Sequence, residues 1–155
     1  MDAEPRTDTL VIVGCCREKT VTSGPVPALD LYQGWCVPML RDYAPAGSGL
    51  RAGICVLSAR YGLISADEPA ETYEQPLTAR IARELRPRAT AQLAARLREH
   101  PVSAALLLVA PDYLELLGPL PLPEIHTITD PTIRPDAVRR VLSAWRWPCP
   151  YQPLP

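Results

Sequence analysis

Of the 16 lysines and arginines in this chain, only Lys19 is a lysine. The net charge is −1, so no global field draws the protein to nucleic acid or to a membrane surface, and any anion binding must be local. No apolar run approaches a membrane span, and the opening MDAEPRTDT is acidic, unlike a secretory signal. The expected compartment is therefore the cytosol, where Cys15, Cys16, Cys36, Cys55 and Cys149 stay reduced. No Cys-x-x-Cys occurs, and the arginine of a thiol-phosphatase Cys-x5-Arg loop is missing, because Val21 and Thr22 stand there. The two histidines, His100 and His126, are far apart in sequence, so neither a metal site nor a cofactor is expected. No repeat of solenoid period is present. Nineteen prolines and the arginine-for-lysine bias are compositional background rather than function.

What is present is an alternation of apolar runs and helical spacings over a length suited to one domain. Residues 1–9 read as a flexible tail. Leu10–Val13 is a short β-branched run, the pattern of a strand buried on both faces. Val21–Pro27 is a loop by its Gly and Pro content. Ala28–Tyr43 has helical spacing that Pro38 should kink or divide. Ala44–Gly49 is turn-rich, and Gly53–Ala59 is a second buried strand. Gly62 is expected at positive φ, and Ser65–Pro76 is acidic and irregular. Thr78–His100 reads as helix broken at Pro87, then Ala104–Ala110 as a third strand. A short helix over Asp112–Leu117 and a Pro-rich connector over Gly118–Pro123 follow. Ile125–Thr129 is a weaker fourth strand, and Pro135 opens a last helix through Ala144. The tail 145–155 is irregular and Pro-rich, with Trp145, Trp147 and Tyr151 as surface anchors.

Strands separated by helices predict a single α/β domain over residues 10–144. Its sheet should be mostly parallel, of about four or five strands, and Rossmann-like. In such sheets ligands bind beyond the carboxyl ends of the strands. Gly14–Lys19, Ser58–Gly62 and Ala110–Tyr113 should therefore share one edge. The turn after the first strand, Gly14, Cys15, Cys16, Arg17 and Lys19, is a candidate anion site as well as an ordinary solvated loop. Cys15 is either a thiol nucleophile activated by its basic neighbours or a small buried residue at the strand exit. His126, on a predicted strand, is expected to be a satisfied core residue, and His100 to end a helix. The arginines between Arg80 and Arg98 are diluted by Glu84 and Glu99 and read as an exposed helical face.

The segments GCCREK, PALDLYQG and LSARYGLISADEPAETYE together resemble an uncharacterised family of bacterial and archaeal proteins distantly related to the YaaA peroxide-stress proteins. Members of that family show a strand ending in Ser-Cys-Gly/Ser-Lys-x-Lys, then Pro-Ala-x-x-Leu-Tyr, then Leu-Ser-Ala-Lys-Tyr-Gly-Leu before an acidic residue and Glu-x-Tyr. The first pattern falls on Gly14, Cys15, Cys16, Arg17 and Lys19, and the second on Pro27, Ala28, Leu31 and Tyr32. The third falls on Leu57, Ser58, Ala59, Arg60, Tyr61, Gly62 and Leu63, then Asp67, Glu71 and Tyr73. Gly14 replaces a usual serine, Arg17 and Arg60 replace lysines, and ITDPTIRPD stands where the family has a Gly-rich segment. The resemblance implies nucleotides or nucleic acid as partners.

Two functions from different classes are expected. The first is an enzyme acting on a nucleotide or modified nucleobase, by N-glycosidic cleavage or by base or ribosyl transfer. In it Glu71 and Asp67 are the catalytic carboxylates, with Cys15 as a further catalytic candidate. Arg17, Lys19 and Arg60 hold a phosphate, and Tyr32 or Tyr73 stacks on a base. Gly14, Cys16, Ser58, Tyr61 and Gly62 complete the binding set. The second is a non-catalytic nucleic-acid-binding or oxidative-stress protein. The plainer reading of the acidic loop is a solvated segment pairing with arginines. A homo-oligomer is left open by the sequence.

Overall fold

β1, Thr9–Gly14, is buried at every residue and forms the middle of a five-stranded sheet. The computed structural model describes residues 4–15, 19 and 23–150. After β1 come β2 (Val26–Pro27), α1 (Ala28–Leu31) and α2 (Val37–Tyr43). A 3-10 turn (Gly49–Gly53), β3 (Ile54–Ser58), β4 (Gly62–Ser65) and β5 (Pro69–Ala70) follow. The chain then forms α3 (Ala79–Glu99), β6 (Ala104–Leu108), α4 (Pro111–Leu117), β7 (Glu124–Thr127) and α5 (Pro135–Ala144).

The sheet order is β4-β3-β1-β6-β7. β1 pairs in parallel with β3 (Ile12 opposite Cys55) and with β6 (Ile12 opposite Leu107), and β6 pairs in parallel with β7. β4 alone runs antiparallel, as the return arm of a hairpin from β3, with Ser58 opposite Gly62. The mostly parallel α/β sheet expected from the apolar runs is therefore what forms. Alternation along each strand sends Val11, Val13, Val56, Leu106 and Leu108 to one face, against α1, α2, α5 and the Trp145 ring. Leu10, Ile12, Leu57, Ala105 and Leu107 go to the other, against Leu85 and Leu93 of α3 and Leu116 and Leu117 of α4.

Several local features differ from expectation. The 28–43 spacing is two helices, and the break lies at Tyr32–Cys36, where Trp35 takes φ 60° and its indole donates to the Leu108 carbonyl at 3.0 Å. Pro38 sits in the first turn of α2, where its missing N–H costs nothing. Pro87 does not break α3. It lies on the exposed side, so the acceptor it leaves unpaired faces water, and burial of Leu85, Ala89 and Leu93 holds the helix through it. β4 forms where no strand was expected, and β5 lies within the Ser65–Pro76 stretch read as irregular. Residues 4–8 are tied down rather than loose. The Arg6 guanidinium donates to Asp8 at 2.7 Å and to Glu124 at 3.1 Å, and its backbone N–H donates to the Trp145 carbonyl at 2.9 Å. His126 is half exposed, bonded to Glu124 at 2.9 Å and edge-on to Trp145, rather than buried in the core. Trp145 and Trp147 are buried, as anchors should be, while Tyr151 lies outside the described residues. Among the described residues no helix is long and apolar enough to cross a membrane.

Candidate functional site

From β1 the chain crosses to β3 on one side, and from β6 it moves through α4 to β7 on the other. The carboxyl ends of the neighbouring strands β1 and β6 are thus a topological switch point, where loops part and leave a crevice. A cavity of about 420 Å³ opens there, within the size range of small-molecule sites. Cys15 and Lys19 line it after β1, Asp112 and Tyr113 at the start of α4, and the segment 73–77 across the top. Cys15 Sγ and the Tyr113 hydroxyl are 3.1 Å apart. Pro111 in the first turn of α4 aims that helix from the end of β6.

Tyr73 is the hub of the other wall. Its hydroxyl lies 2.7 Å from Ser58 Oγ and 2.7 Å from the Tyr32 hydroxyl, all three buried. The backbone N–H groups of Arg60 and Tyr61 each donate to Ser58 Oγ at 3.1 Å and take up its acceptor sites. The Ser58 proton therefore goes to Tyr73, and the Tyr73 proton to Tyr32. Burial first, then the nearby Cys15, pushes the Tyr73 and Tyr113 hydroxyls well above the ordinary phenol range. Both remain neutral hydrogen-bonding groups at any physiological pH.

Two cations bear on the Tyr73 ring. Lys19 Nζ is 4.5 Å from its centroid and 5.9 Å from that of Tyr32, and the Lys19 backbone bridges to Tyr32. The Arg60 guanidinium is 5.9 Å from Tyr73 and 5.4 Å from Tyr61. Tyr61 packs edge-on against Tyr73 at 5.7 Å. Such contacts hold a cation beside a crevice.

The acidic loop divides into two roles. Asp67 accepts from Arg51 at 3.0 Å. Arg51 is only 2% exposed and also holds Asp30 at 2.8 Å and the Ala44 carbonyl at 2.9 Å. Asp67 therefore serves the fold beside the 3-10 turn and is not brought to the cleft. The Glu71 carboxylate is exposed and outside the cleft wall, while its backbone is held at both N–H and C=O by the Tyr61 hydroxyl, at 3.1 and 3.3 Å. Among the described residues, the carboxylates that do line the cleft are Glu74 and Asp112. Gln75 fixes the rim by donating to the Ala59 carbonyl at 2.9 Å.

Of the sequence candidates, Cys15, Lys19 and Tyr73 meet in the cleft wall, with Ser58, Tyr32, Arg60 and Tyr61 packed behind Tyr73. Tyr32 is fully buried, so it positions Tyr73 and offers no face for stacking. Gly14 ends β1, with the Val109 backbone 3.6 Å from where a Cβ would stand. Gly62 takes φ 75° and leads into β4. Cys16 and Arg17 lie outside the described residues. Glu74, Gln75, Asp112 and Tyr113 are wall residues not singled out from sequence. Asp112 and Tyr113 did carry a signal, because they follow the third strand at the edge where the sites were expected. Among the described residues, no cluster of His, Cys, Asp and Glu could hold a metal ion.

Residues 10–134 match the model of a family of unknown function, and neither a curated protein nor a solved structure matches the chain.

Proposed function

The chain belongs to that family, DUF6884, whose matched span carries all the cleft residues just described, and from this premise we propose that the cleft takes a nucleotide or modified nucleobase and acts on its N-glycosidic bond. The observation that carries the reading is the company in one 420 Å³ crevice at the switch point: a lysine, two neutral phenols, a thiol and two carboxylates. Lys19 holds the phosphate as a point charge. The Tyr73 and Tyr113 edges border the base, and Glu74 and Asp112 replace Glu71 and Asp67 as the reacting carboxylates. In hydrolysis the C1′–N bond breaks as water oxygen bonds to C1′. One carboxylate takes the water proton and hands it to the nitrogen of the departing base, which restores the carboxylate. In base or ribosyl transfer another nucleophile replaces that water. The cytosol suits such a site, because Cys15 carries its reactivity only as a free thiol.

The test is release of free base from a panel of nucleoside monophosphates. Wild type should release base. Glu74→Gln and Asp112→Asn should lower kcat more than they raise KM, because a charge that acts in the transition state is lost from kcat. No release by wild type, together with no nucleotide that raises Tm, removes the reading.

A second reading, nucleic-acid binding as the resemblance to YaaA relatives suggests, draws on α3. That helix holds six arginines against two glutamates, and Arg80, Arg83, Arg86, Arg88 and Arg98 are exposed. Binding of a DNA or RNA duplex that weakens steeply with salt and survives Lys19→Ala would favour it.

A further inference from the structure

A second cavity, of about 640 Å³, lies at the opposite end of the sheet. Its walls come from the start of β1, the 3-10 turn, the last turn of α3 and the segment after α5. Leu50, Val102 and the Trp147 ring give it an apolar body. Among the described residues, Arg6, Arg96 and His100 stand against one wall carboxylate, Glu4. Arg6 is already committed to Asp8 and Glu124. Arg96 is not fully used. Its terminal nitrogen donates to the Ala52 carbonyl, but its Nε–H is shielded from water and has no hydrogen-bond partner among the described residues. The Trp147 indole N–H is in the same state, in a residue only 4% exposed. The other two indoles are satisfied, Trp35 by the Leu108 carbonyl and Trp145 by Glu124, each at 3.0 Å.

Arg96 and Trp147 both line this cavity, and the orphaned group just beneath its surface in each is a donor, so what would complete them is an acceptor. A shielded donor without a partner carries its full desolvation cost. We infer that this cavity is a second ligand site, for a small organic monocarboxylate with an apolar ring body, separate from the cleft at the strand ends. The ring lies on Trp147 and Leu50. The carboxylate, after small rotations that bring the Arg96 Nε–H and the Trp147 indole N–H to the cavity surface, accepts from both. Phosphate alone lacks the apolar body, and a neutral amide lacks the charge that Arg96 matches.

The probes are 2-naphthoate, 2-naphthamide and inorganic phosphate, added to the intact protein labelled with nitrogen-15. Trp147→Phe assigns the Trp147 indole signal. The expected result is a saturable downfield shift of the Trp147 indole N–H with 2-naphthoate, while the Trp35 and Trp145 indoles stay in place. The amide should bind about tenfold more weakly or worse, since a hydrogen bond to a charged group is the stronger kind. Phosphate should leave Trp147 unmoved. Arg96→Met should weaken 2-naphthoate binding by about the same factor, whereas Lys19→Ala should leave it unchanged, so that failure of the cleft reading does not touch this one. No saturable shift at Trp147, equal response to acid and amide, or binding lost in Lys19→Ala would each overturn the site.

Discussion

Ser58 Oγ and the Tyr73 hydroxyl are 2.7 Å apart, and the two backbone N–H groups held by Ser58 fix the direction in which it donates. Tyr73→Phe therefore strands a buried serine proton and removes the donor to Tyr32. The expected loss is about 1–3 kcal/mol of unfolding free energy, read from urea denaturation. Tyr113→Phe loses only a contact with a thiol in a half-buried place and should cost less, about 1 kcal/mol or under. Equal losses would mean that the Tyr73 chain is not a coupled network.

Arg51 and Asp67 separate fold from chemistry in the acidic loop. Arg51→Met removes a buried guanidinium from Asp30, Asp67 and the Ala44 carbonyl, and should cost about 2–4 kcal/mol. Asp67→Asn should cost under about 1 kcal/mol, because that carboxylate is 63% exposed and Asp30 still faces Arg51. In the base-release assay Asp67→Asn should behave as wild type, and Glu71→Gln likewise. A large kcat loss in either would return them to the reaction.

Gly62 is required twice over. Its φ is 75°, and a Cβ there would run into the Gln92 side-chain amide, which accepts from the Leu63 N–H at 2.7 Å and donates to the Tyr61 carbonyl at 3.2 Å. Gly62→Ala should destabilise by about 2 kcal/mol or more, from left-handed strain and the displaced amide together. A Tm within error of wild type would show that β4 can shift away from α3.

The Arg6 cluster should make stability depend on pH in the acid range. Asp8 is held down to about 2, chiefly by Arg6 and then by the Ser103 hydroxyl. Glu124 is held down to about 2 by the Trp145 indole N–H first, then by His126 and Arg6. Both lie below the ordinary carboxylate range near about 4 in the unfolded chain. Their contribution is thus present above about pH 4 and fades as pH falls toward about 2. Urea midpoints should drop across that window, and less steeply in Arg6→Gln. A midpoint that is flat across the window in wild type would remove the cluster from the account.

Lys19→Ala should abolish most of the Tm rise given by a nucleoside monophosphate, and Lys19→Arg should restore part of it, because charge returns in a different shape. Equal stabilisation in wild type and Lys19→Ala would take the phosphate away from this wall.

The sheet was legible because β1, β3 and β6 are apolar on both faces, which few other arrangements demand of LVIV, ICVL and AALLL. β4 was not, since GLIS is too short to show a period and exists by pairing with β3. Pro87 misled for the opposite reason: a strong local signal was outweighed by the packing of Leu85, Ala89 and Leu93. At the site, the strand exits could be read from topology. Which carboxylate faces the crevice could not. Glu71 and Glu74 differ only in how Tyr61 and Gln75 hold the loop, and those are contacts between distant residues.

β1 has a strand on each side, so its amides can meet solvent only when the sheet itself comes apart, whereas the 73–77 rim is held mainly by side chains. In deuterium labelling the protein should show two speeds at one crevice: Ile12 and Val13 exchanging at the rate of global unfolding, and the rim exchanging orders of magnitude sooner. The floor of the cleft is then a fixed template and its roof a pliable cover. A molecule seated between them should register as slowed exchange in the roof alone.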